Sequence, residues 1–304
     1  MPFLALKVDV DTFRGTREGV PRLVALLERK GVHATFLFSV GPDHTGRAIR
    51  RIFRRGFAGK VRRTSVLQHY GLKTLLYGVL LPGPHIGRIC RQELRAVAVA
   101  GFEVGLHAHD HVRWQDGVAH ANEPWTRREL IRGRDAFAEA FGRAPTVHGA
   151  AGWQMNEFAL SLQHELGFTL ASDTRGGEPF MPITCSGEVP VPQLPTTLPT
   201  LDELIGRPDL GNVDPVRHLL ALTRDGRDHV YTLHAELEGG TYLQAFEALL
   251  NGWLAQGYAL GSLGQSAARL DLDAIPRCAI DQGMVAGRAG YLAVQGALRP
   301  VSLS

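Results

Sequence analysis

Short apolar segments alternate with helical patterns along most of this 304-residue chain. Residues 3–10 and 33–40 are runs of apolar, β-branched and aromatic residues that predict buried strands. Between them, residues 18–30 carry apolar side chains at helical spacing and precede Gly31, a residue typical of helix C-caps. Further strand-like segments follow at 103–107, 146–149, 169–173 and 229–234. Strands separated by helices predict a repeating βα fold with a mostly parallel sheet.

Charged and imidazole side chains recur where these predicted strands end. Asp9 and Asp11 close the first strand, and His107, Asp173 and His234 close three others. In parallel βα folds the carboxyl ends of the strands meet at one edge, where catalytic residues collect. The recurrence therefore predicts an active site at that edge.

A metal site is indicated by two aspartates and a cluster of histidines. Asp9 and Asp11 share one face of a strand, and two carboxylates this close repel unless a cation or a shared proton relieves them. His107, His109 and His111 fall within five residues. His107 and His111 would meet on a helical turn, whereas an extended segment would put all three on one face, so spacing alone leaves the binding pair open. Asp11 with two of these histidines leaves positions open for water and substrate, as catalytic Zn²⁺, Co²⁺, Mn²⁺ or Fe²⁺ sites do.

Proton transfer has its own candidates. His234 and Asp173 lie at the ends of separate strands, and a carboxylate beside an imidazole can hold it as a proton donor. Each residue taken alone is equally consistent with a structural role. The chain has no GxSxG motif, phosphate-binding glycine loop or nucleotide fingerprint, and its cysteines have no evident partner histidine. A serine or cysteine nucleophile is therefore not predicted.

Composition places the chain among ordinary globular proteins, with 44% hydrophobic and 21% charged residues. Its three cysteines are too widely spaced for a disulfide framework or a zinc knuckle. The first residues lack the basic start and cleavage site of a signal peptide, and no apolar run approaches the roughly 20 residues that span a bilayer. A cytoplasmic location is expected.

Positive charge is concentrated in an interruption of the alternation at about 43–87. Residues 47–63 hold eight of the 33 Lys and Arg residues and no acid. The rest of the chain therefore has 25 basic residues against 30 Asp and Glu, a net negative charge. Apolar residues within this segment share one helical face. A basic amphipathic helix suits an anionic membrane interface, although a solvated helix packed on the domain by its apolar stripe has the same pattern. The predicted interface residues are Arg50, Arg51, Phe53, Arg54, Arg55 and Phe57.

Two further patterns concern boundaries. A capping box of Thr126 and Glu129 predicts the start of a helix that runs through Phe141.

From residue 271 onward the chain has little periodicity and many small residues, which indicates an extension lying on the domain surface or partly disordered. We therefore divide the chain into a domain at 1–270 and a C-terminal extension at 271–304.

Five short motifs occur in the order VDVDT, HxxxH, AAGW, SDTRG and LHAE. In this order they resemble the NodB-like polysaccharide deacetylase family, and the resemblance covers about residues 3–268. It implies an α/β fold of the family's type, a distorted and incomplete (β/α) barrel. It also implies an amide hydrolase that depends on one divalent metal ion, with zinc as the first expectation.

The resemblance assigns roles to individual residues. Asp11, His107 and His111 match the metal ligands, which leaves His109 outside the triad. Asp9 matches the general base and His234 the general acid, with Asp173 as the acidic partner of that histidine. The arginine that orients the base in the family's third motif has no counterpart in GAAGWQ, and Arg175 is the candidate replacement.

Within the family, the match is closer to the branch that removes the formyl group from 4-deoxy-4-formamido-L-arabinose on undecaprenyl phosphate, a step of lipid A modification that confers polymyxin resistance. This implies a lipid-linked amino sugar and the anionic inner-membrane surface as partners, peripheral attachment on the cytoplasmic face, and no nucleic-acid or protein partner. A deacetylase of another N-acyl sugar or polysaccharide, and an inactive membrane- or nucleic-acid-binding protein, are the alternatives. Candidate substrate contacts are Trp153, His109, Asp202 and Arg207.

Overall fold

The computed structural model describes residues 1–48, 74, 76–185, 187–211 and 213–298. Its strands are β1 (Phe3–Val10), β2 (Thr35–Ser39), β3 (Glu103–Ala108), β4 (Val147–His148), β5 (Leu170–Ala171), β6 (Met181–Thr184), β7 (Gly187–Glu188), β8 (His229–His234), β9 (Ala259–Gly261), β10 (Arg277–Met284) and β11 (Tyr291–Leu298). Its α-helices are α1 (Val20–Lys30), α2 (Ile86–Ile89), α3 (Arg91–Val99), α4 (His111–Gly117), α5 (Glu123–Phe141), α6 (Glu157–Glu165), α7 (Leu201–Leu204), α8 (Pro215–Leu222), α9 (Leu243–Ala255) and α10 (Leu263–Ala267). A π-helical turn, Gly15–Gly19, precedes α1, and short 3-10 turns lie at Val118–His120, Ala151–Trp153, Pro208–Leu210 and Thr223–Asp225.

Seven strands form a curled sheet in the order β5-β4-β3-β2-β1-β8, with β9 paired to the start of β1. Every pairing in this sheet is parallel. The extended segment 192–198 bridges the two outer strands, because Leu194 N donates to Ala171 O of β5 and Thr197 N donates to Val230 O of β8. The result is a half-barrel whose gap is closed by irregular chain. This confirms the predicted distorted (β/α) barrel.

Strand β1 lies at the centre of the fold and is buried along its whole length. It pairs with β2 along one edge and β8 along the other, and its side chains are buried on both faces of the sheet. A strand buried on both faces is expected to be continuously apolar. Its two charged residues, Lys7 and Asp9, are therefore exceptions that need partners, since an unpaired buried charge is costly.

The start of helix α5 differs from the prediction. The helix begins at Glu123 rather than at Thr126, because the Asn122 side chain caps it by accepting a hydrogen bond from Trp125 N. Pro124 occupies the first turn, where its missing N–H costs nothing. The Thr126 hydroxyl instead donates to the Asn122 carbonyl inside the helix.

The C-terminal extension contains more regular structure than its weak periodicity indicated. Strands β10 and β11 form an antiparallel hairpin, and β10 also pairs with β6. Together with β7 they make a second, four-stranded sheet. The hairpin is only partly buried on both faces, so its sequence lacks a clean alternation of apolar and polar residues.

The basic segment lies largely outside the described residues, and so do the predicted interface residues Arg50, Arg51, Phe53, Arg54, Arg55 and Phe57. Within the described ranges, no helix has the length and apolar character that crossing a membrane requires.

Candidate active site

The candidate active site lies at the C-terminal end of β1. Lys7, Asp9 and Asp11 follow at alternate positions, which sends side chains of an extended chain to the same face. The parallel register pairs Asp9 with Leu37 of β2 and with His234 of β8. The predicted base and the predicted acid therefore lie on neighbouring strands.

Asp11, His107 and His111 converge, and each offers a ligand atom within 4.8 Å of the others. His107 Nε2 lies 3.2 Å from Asp11 Oδ1, and His111 Nε2 lies 3.5 Å from Asp11 Oδ2. His107 is on β3, whereas His111 is the first residue of α4. The tight turn between them is stabilised by Asp110, whose side chain caps α4 by accepting from Arg113 N.

The protonation of these groups suits a bound cation. His107 Nδ1 lies 2.6 Å from the Gly149 carbonyl oxygen, which can only accept, so this nitrogen carries a proton. In the neutral ring the lone pair of Nε2 then faces the Asp11 carboxylate, and two acceptors meet. Asp9 Oδ1 and Asp11 Oδ1 are buried without a hydrogen-bond partner among the described residues. A divalent ion held by Asp11 and His107 would satisfy the Asp11 oxygen and the Nε2 lone pair, and would leave Asp9 Oδ1 free.

The pKa shifts report the same need for positive charge. Burial opposes ionisation of Asp11, but the His111 and His107 imidazoles hold its pKa well below the ordinary range. Burial also opposes protonation of His107, yet the Asp9 and Asp11 carboxylates outweigh it and raise the His107 pKa. Both shifts favour positive charge in the cluster, and a bound metal ion would supply that charge.

Lys7 is the ionic partner of Asp9. Its Nζ lies 3.7 Å from Asp9 Oδ2 and donates to the Ser172 carbonyl at 2.8 Å. The side chain is completely buried, and burial lowers its pKa against the opposing effect of Asp9. The alternation of Lys7 with Asp9 could have indicated this pairing from the sequence.

Arg175 does not take the predicted place beside Asp9. Its guanidinium donates to Glu203 Oε1 at 2.5 Å and to the Leu198 carbonyl at 3.0 Å. It lies over the Trp153 ring, 5.0 Å from the centroid. Lys7, which lies on the central strand β1 and has a shorter side chain, occupies the position beside Asp9.

The structure also corrects the predicted pairing of His234 with Asp173. His234 Nδ1 lies 3.7 Å from Asp202 Oδ1. Burial opposes protonation of His234, but Asp202 and Asp11 raise its pKa. Asp202 was predicted only as a substrate contact.

Asp173 serves the neighbouring loop instead. Its carboxylate accepts from His148 Nδ1 at 2.7 Å and from the Ala150 N–H at 2.8 Å, and the Gln163 and Gln193 amides supply two further donors. Although burial opposes its ionisation, these partners lower its pKa. Asp173 thereby fixes the loop that leads into Trp153.

Trp153 forms a rigid wall of the site. It has a φ of +52° directly after Gly152 at +63°, a left-handed backbone that is costly for a non-glycine residue. The indole Nε1 donates to Thr196 Oγ1 at 3.1 Å, and the indole and His234 rings lie edge to face with 6.4 Å between centroids. The surroundings hold this conformation, which places an aromatic ring beside the predicted acid.

Glu236 is a second group that sequence reasoning missed. Its Oε1 accepts from the Asp11 N–H, the Thr12 N–H and the Thr12 hydroxyl. Burial and the nearby Asp11 charge raise the Glu236 pKa to about 8. The side chain fixes the backbone of the metal-ligand loop. Gly15 is required there, since a Cβ at this residue would lie 2.0 Å from Glu236 Oε1.

Two predicted substrate contacts lie away from the metal ligands. The His109 ring packs against His85 at 5.9 Å between centroids, and burial together with His85 lowers its pKa to about 4. The Arg207 guanidinium pairs with Asp209, two residues further on. The structure thus brings Trp153 and Asp202 to the site but not His109 or Arg207.

A parallel half-barrel has one aspartate and two histidines at its carboxyl edge, flanked by a second carboxylate and an imidazole. This is the arrangement of a hydrolase site that could hold a catalytic metal ion. The family model for polysaccharide deacetylases matches residues 4–171. The chain belongs to the polysaccharide deacetylase family, as its motifs indicated.

Similar proteins extend this match over most of the chain. A protein of Shewanella sediminis named 4-deoxy-4-formamido-L-arabinose-phosphoundecaprenol deformylase ArnD is 36% identical over 247 residues, which are 81% of this chain and 80% of the relative. A protein of the same name from Wigglesworthia glossinidia brevipalpis is 33% identical over 92% of this chain and 98% of its own. A polysaccharide deacetylase structure from Mycobacterium smegmatis shares the fold, with a TM-score of 0.63, 18% identity and coverage of 93% and 96%.

Replacing His107 by alanine should remove the metal site, whereas replacing His109 should spare it. Losing an outer partner of a metal ligand already costs 10- to 100-fold in affinity, so we expect His107→Ala to bind Co²⁺ at least about 100-fold more weakly. His109→Ala is the matched control, because it removes an imidazole two residues away that faces His85. Titration by Co²⁺ absorption measures both. Equal losses in the two variants would contradict the assigned triad.

Proposed function

We propose that this protein hydrolyses the formamide of undecaprenyl phosphate-linked 4-deoxy-4-formamido-L-arabinose, giving the 4-amino sugar lipid and formate for lipid A modification. The observation that carries the proposal is the similarity to two proteins named as that deformylase, at 36% and 33% identity over most of both chains. The buried Asp11, His107 and His111 cluster supports it, because amide hydrolysis of this kind needs a metal site with open positions.

The metal would be held by Asp11, His107 and His111, with Zn²⁺ as the first expectation and Co²⁺, Mn²⁺ or Fe²⁺ as alternatives. A divalent ion there supplies Lewis acidity, which activates water at neutral pH and polarises the amide carbonyl. The Gly149 carbonyl assists by fixing the proton of His107 on Nδ1, so that Nε2 is free to bind.

Asp9 acts as the general base in this proposal. Its Oδ1 is buried and without a partner among the described residues, so it is available to take a proton from the attacking water. Lys7 holds the other carboxylate oxygen, Oδ2, through an ion pair in which Lys7 Nζ lies 3.7 Å from it. The water oxygen bonds to the formyl carbon as Asp9 receives the proton.

His234 acts as the general acid. The carbon–nitrogen bond breaks as His234 gives a proton to the sugar nitrogen, and formate leaves. Asp202 supports this role by raising the His234 pKa, which keeps the imidazole protonated nearer to neutral pH. The developing oxyanion can also accept a hydrogen bond from a backbone N–H. Since the Trp153 N–H already donates to Ala150 O, Gly152 is the better candidate donor.

The basic insertion would bring the enzyme to its lipid substrate. A segment with eight positive charges suits the anionic cytoplasmic leaflet of the inner membrane, so we infer peripheral attachment there. Described residues that flank it expose apolar side chains, with Leu80 76% and Ile89 53% exposed. Exposed apolar and basic side chains together are typical of interfacial binding.

Metal-loaded wild type should release formate from the formamido-arabinose lipid. Asp9→Asn should reduce kcat by at least about 100-fold while metal content is unchanged, because it removes the base and no ligand. A coupled formate assay and elemental analysis measure the two quantities. Faster hydrolysis of N-acetyl oligosaccharides than of the lipid would support the alternative deacetylase function. No formate from fully loaded wild type would reject the deformylase proposal.

Asp202→Asn should move the alkaline limb of the kcat–pH profile to lower pH. Asp202 raises the His234 pKa, so without its charge His234 loses its proton at lower pH and stops serving as an acid. Asp173→Asn is the matched control. It should lower the melting temperature, because the Asp173 carboxylate fixes the loop at Ala150, and should leave the alkaline limb in place. The reverse outcome would restore Asp173 as the partner of His234.

Reversing four charges of the basic segment should abolish membrane binding. We expect the Arg50, Arg51, Arg54 and Arg55 to Glu variant to lose flotation with vesicles rich in anionic lipid, since each basic residue contributes about 1 kcal/mol near such a surface. The control carries the same change of charge on exposed arginines elsewhere, at Arg128, Arg143, Arg217 and Arg224. Equal flotation of both variants would contradict the assigned interface.

A further inference from the structure

The turn of the C-terminal hairpin reaches into the active site. Arg288 lies in this turn, between β10 and β11, and its Nη1 lies 3.2 Å from Asp202 Oδ2. Its Nε donates to Glu203 Oε1 at 2.9 Å. The guanidinium also covers the Trp153 ring, 4.8 Å from the centroid. One side chain of the extension thus contacts the partner of His234 and the wall beside it.

Asp202 is oriented from two directions. The Thr200 hydroxyl donates to Asp202 Oδ1 at 2.5 Å, and the same oxygen lies 3.7 Å from His234 Nδ1. Arg288 engages both oxygens, with Nη1 3.2 Å from Oδ2 and Nη2 donating to Oδ1 at 3.4 Å. The Asp202 pKa is lowered by Arg288 and His234 against the effect of burial, so the carboxylate is held ionised between two positive groups.

The hairpin turn docks closely on helix α7, which carries Asp202 and Glu203. Gly287 has a φ of +86°, and a Cβ there would lie 2.4 Å from the Glu203 carbonyl oxygen. Gly290, at the other side of the turn, has a similar φ of +83°, but a Cβ there would meet nothing within 4 Å. Only Gly287 is required for contact between the turn and α7.

Strand β11 fastens the hairpin to the rest of the site. Arg175 N donates to Ala293 O at 3.0 Å, and Gln295 N donates to Arg175 O at 2.7 Å. The Gln154 side chain, next to Trp153, donates to the Tyr291 carbonyl at 2.7 Å. The hairpin is therefore connected both to the segment of Arg175 and to the loop that carries Trp153.

We propose that Arg288 is a positioning residue for the reaction and that the hairpin at 277–298 completes the active site. Arg288 acts through Asp202: it fixes the carboxylate so that Oδ1 faces His234. The inference rests on the proposed function in so far as His234 is the acid. The geometric part, that the turn holds Asp202 against His234, is independent of the substrate.

Arg288→Met should lower kcat by about tenfold to a hundredfold with little change in KM, because a displaced catalytic group slows the chemical step. Arg288→Lys should recover part of the loss. In an Asp202→Asn background, Arg288→Met should have almost no further effect, since the group through which it acts is already changed. A large rise in KM with kcat unchanged would show direct substrate binding by Arg288, and additive losses would show action independent of Asp202. Either result overturns the proposal.

The two glycines of the turn provide a matched pair. Gly287→Ala should displace the turn from α7 and reproduce the kcat loss of Arg288→Met, while Gly290→Ala introduces the same backbone strain without the clash and should keep wild-type kcat. Equal kcat losses in both variants would overturn the role of the docked turn.

Crystal structures of the glycine variants test the geometry without any assay. We expect the Asp202–His234 contact to be lost in Gly287→Ala and kept in Gly290→Ala. If wild type releases no formate from the lipid but the contact breaks as expected, the proposed function fails and the positioning role of the turn stands. If wild type is active and the contact survives in Gly287→Ala, the positioning role fails alone.

Discussion

Charge buried on one strand governs the site. Lys7 and Asp9 are enclosed in β1, and Asp11 follows at its end, so the fold must balance two carboxylates with one ammonium and two imidazoles. Removing one partner of a buried ion pair costs about 3–5 kcal/mol, which makes this set interdependent. A divalent cation held by Asp11, His107 and His111 would complete the balance. The Gly149 carbonyl and the Glu236 carboxyl orient the ligand residues from the surrounding elements.

Features that depend on local pattern were predictable. The central strand, the helix that ends at Gly31 and the metal triad follow from periodicity, from capping residues and from motifs with short spacing. The C-terminal ends of parallel strands lie at the same edge of the sheet, independently of the loops between them. Asp9 and His234 could therefore be placed at that edge from the sequence. Resemblance then selected His111 over His109, a choice that spacing alone left open.

Features that depend on long-range contacts were not predictable. Asp173 ends a predicted strand, whereas Asp202 lies where no strand or helix was predicted. Only the path of the loops brings Asp202, and not Asp173, to His234. Arg175 was predicted beside Asp9 because the arginine of the family's third motif has no counterpart here, yet the backbone direction of β1 puts Lys7 there. Arg288 comes from a segment without periodicity, and a hairpin exposed on both faces leaves little pattern to read.

The pairing of β1 with β8 has a consequence for how the chain folds. Leu4 lies opposite His229 in the central sheet, so the pairing joins residues more than two hundred positions apart. The chain loses conformational entropy in closing so long a loop before the contacts between the two strands can stabilise it. Parallel sheets of this kind are therefore slow to form. During synthesis β1 emerges well before β8, so the edge that β8 later covers stays unpaired in the meantime, a state prone to aggregation. Lys7 and Asp9 put two charges into that edge, and the residues that serve the site can thereby also keep the waiting strand from self-association.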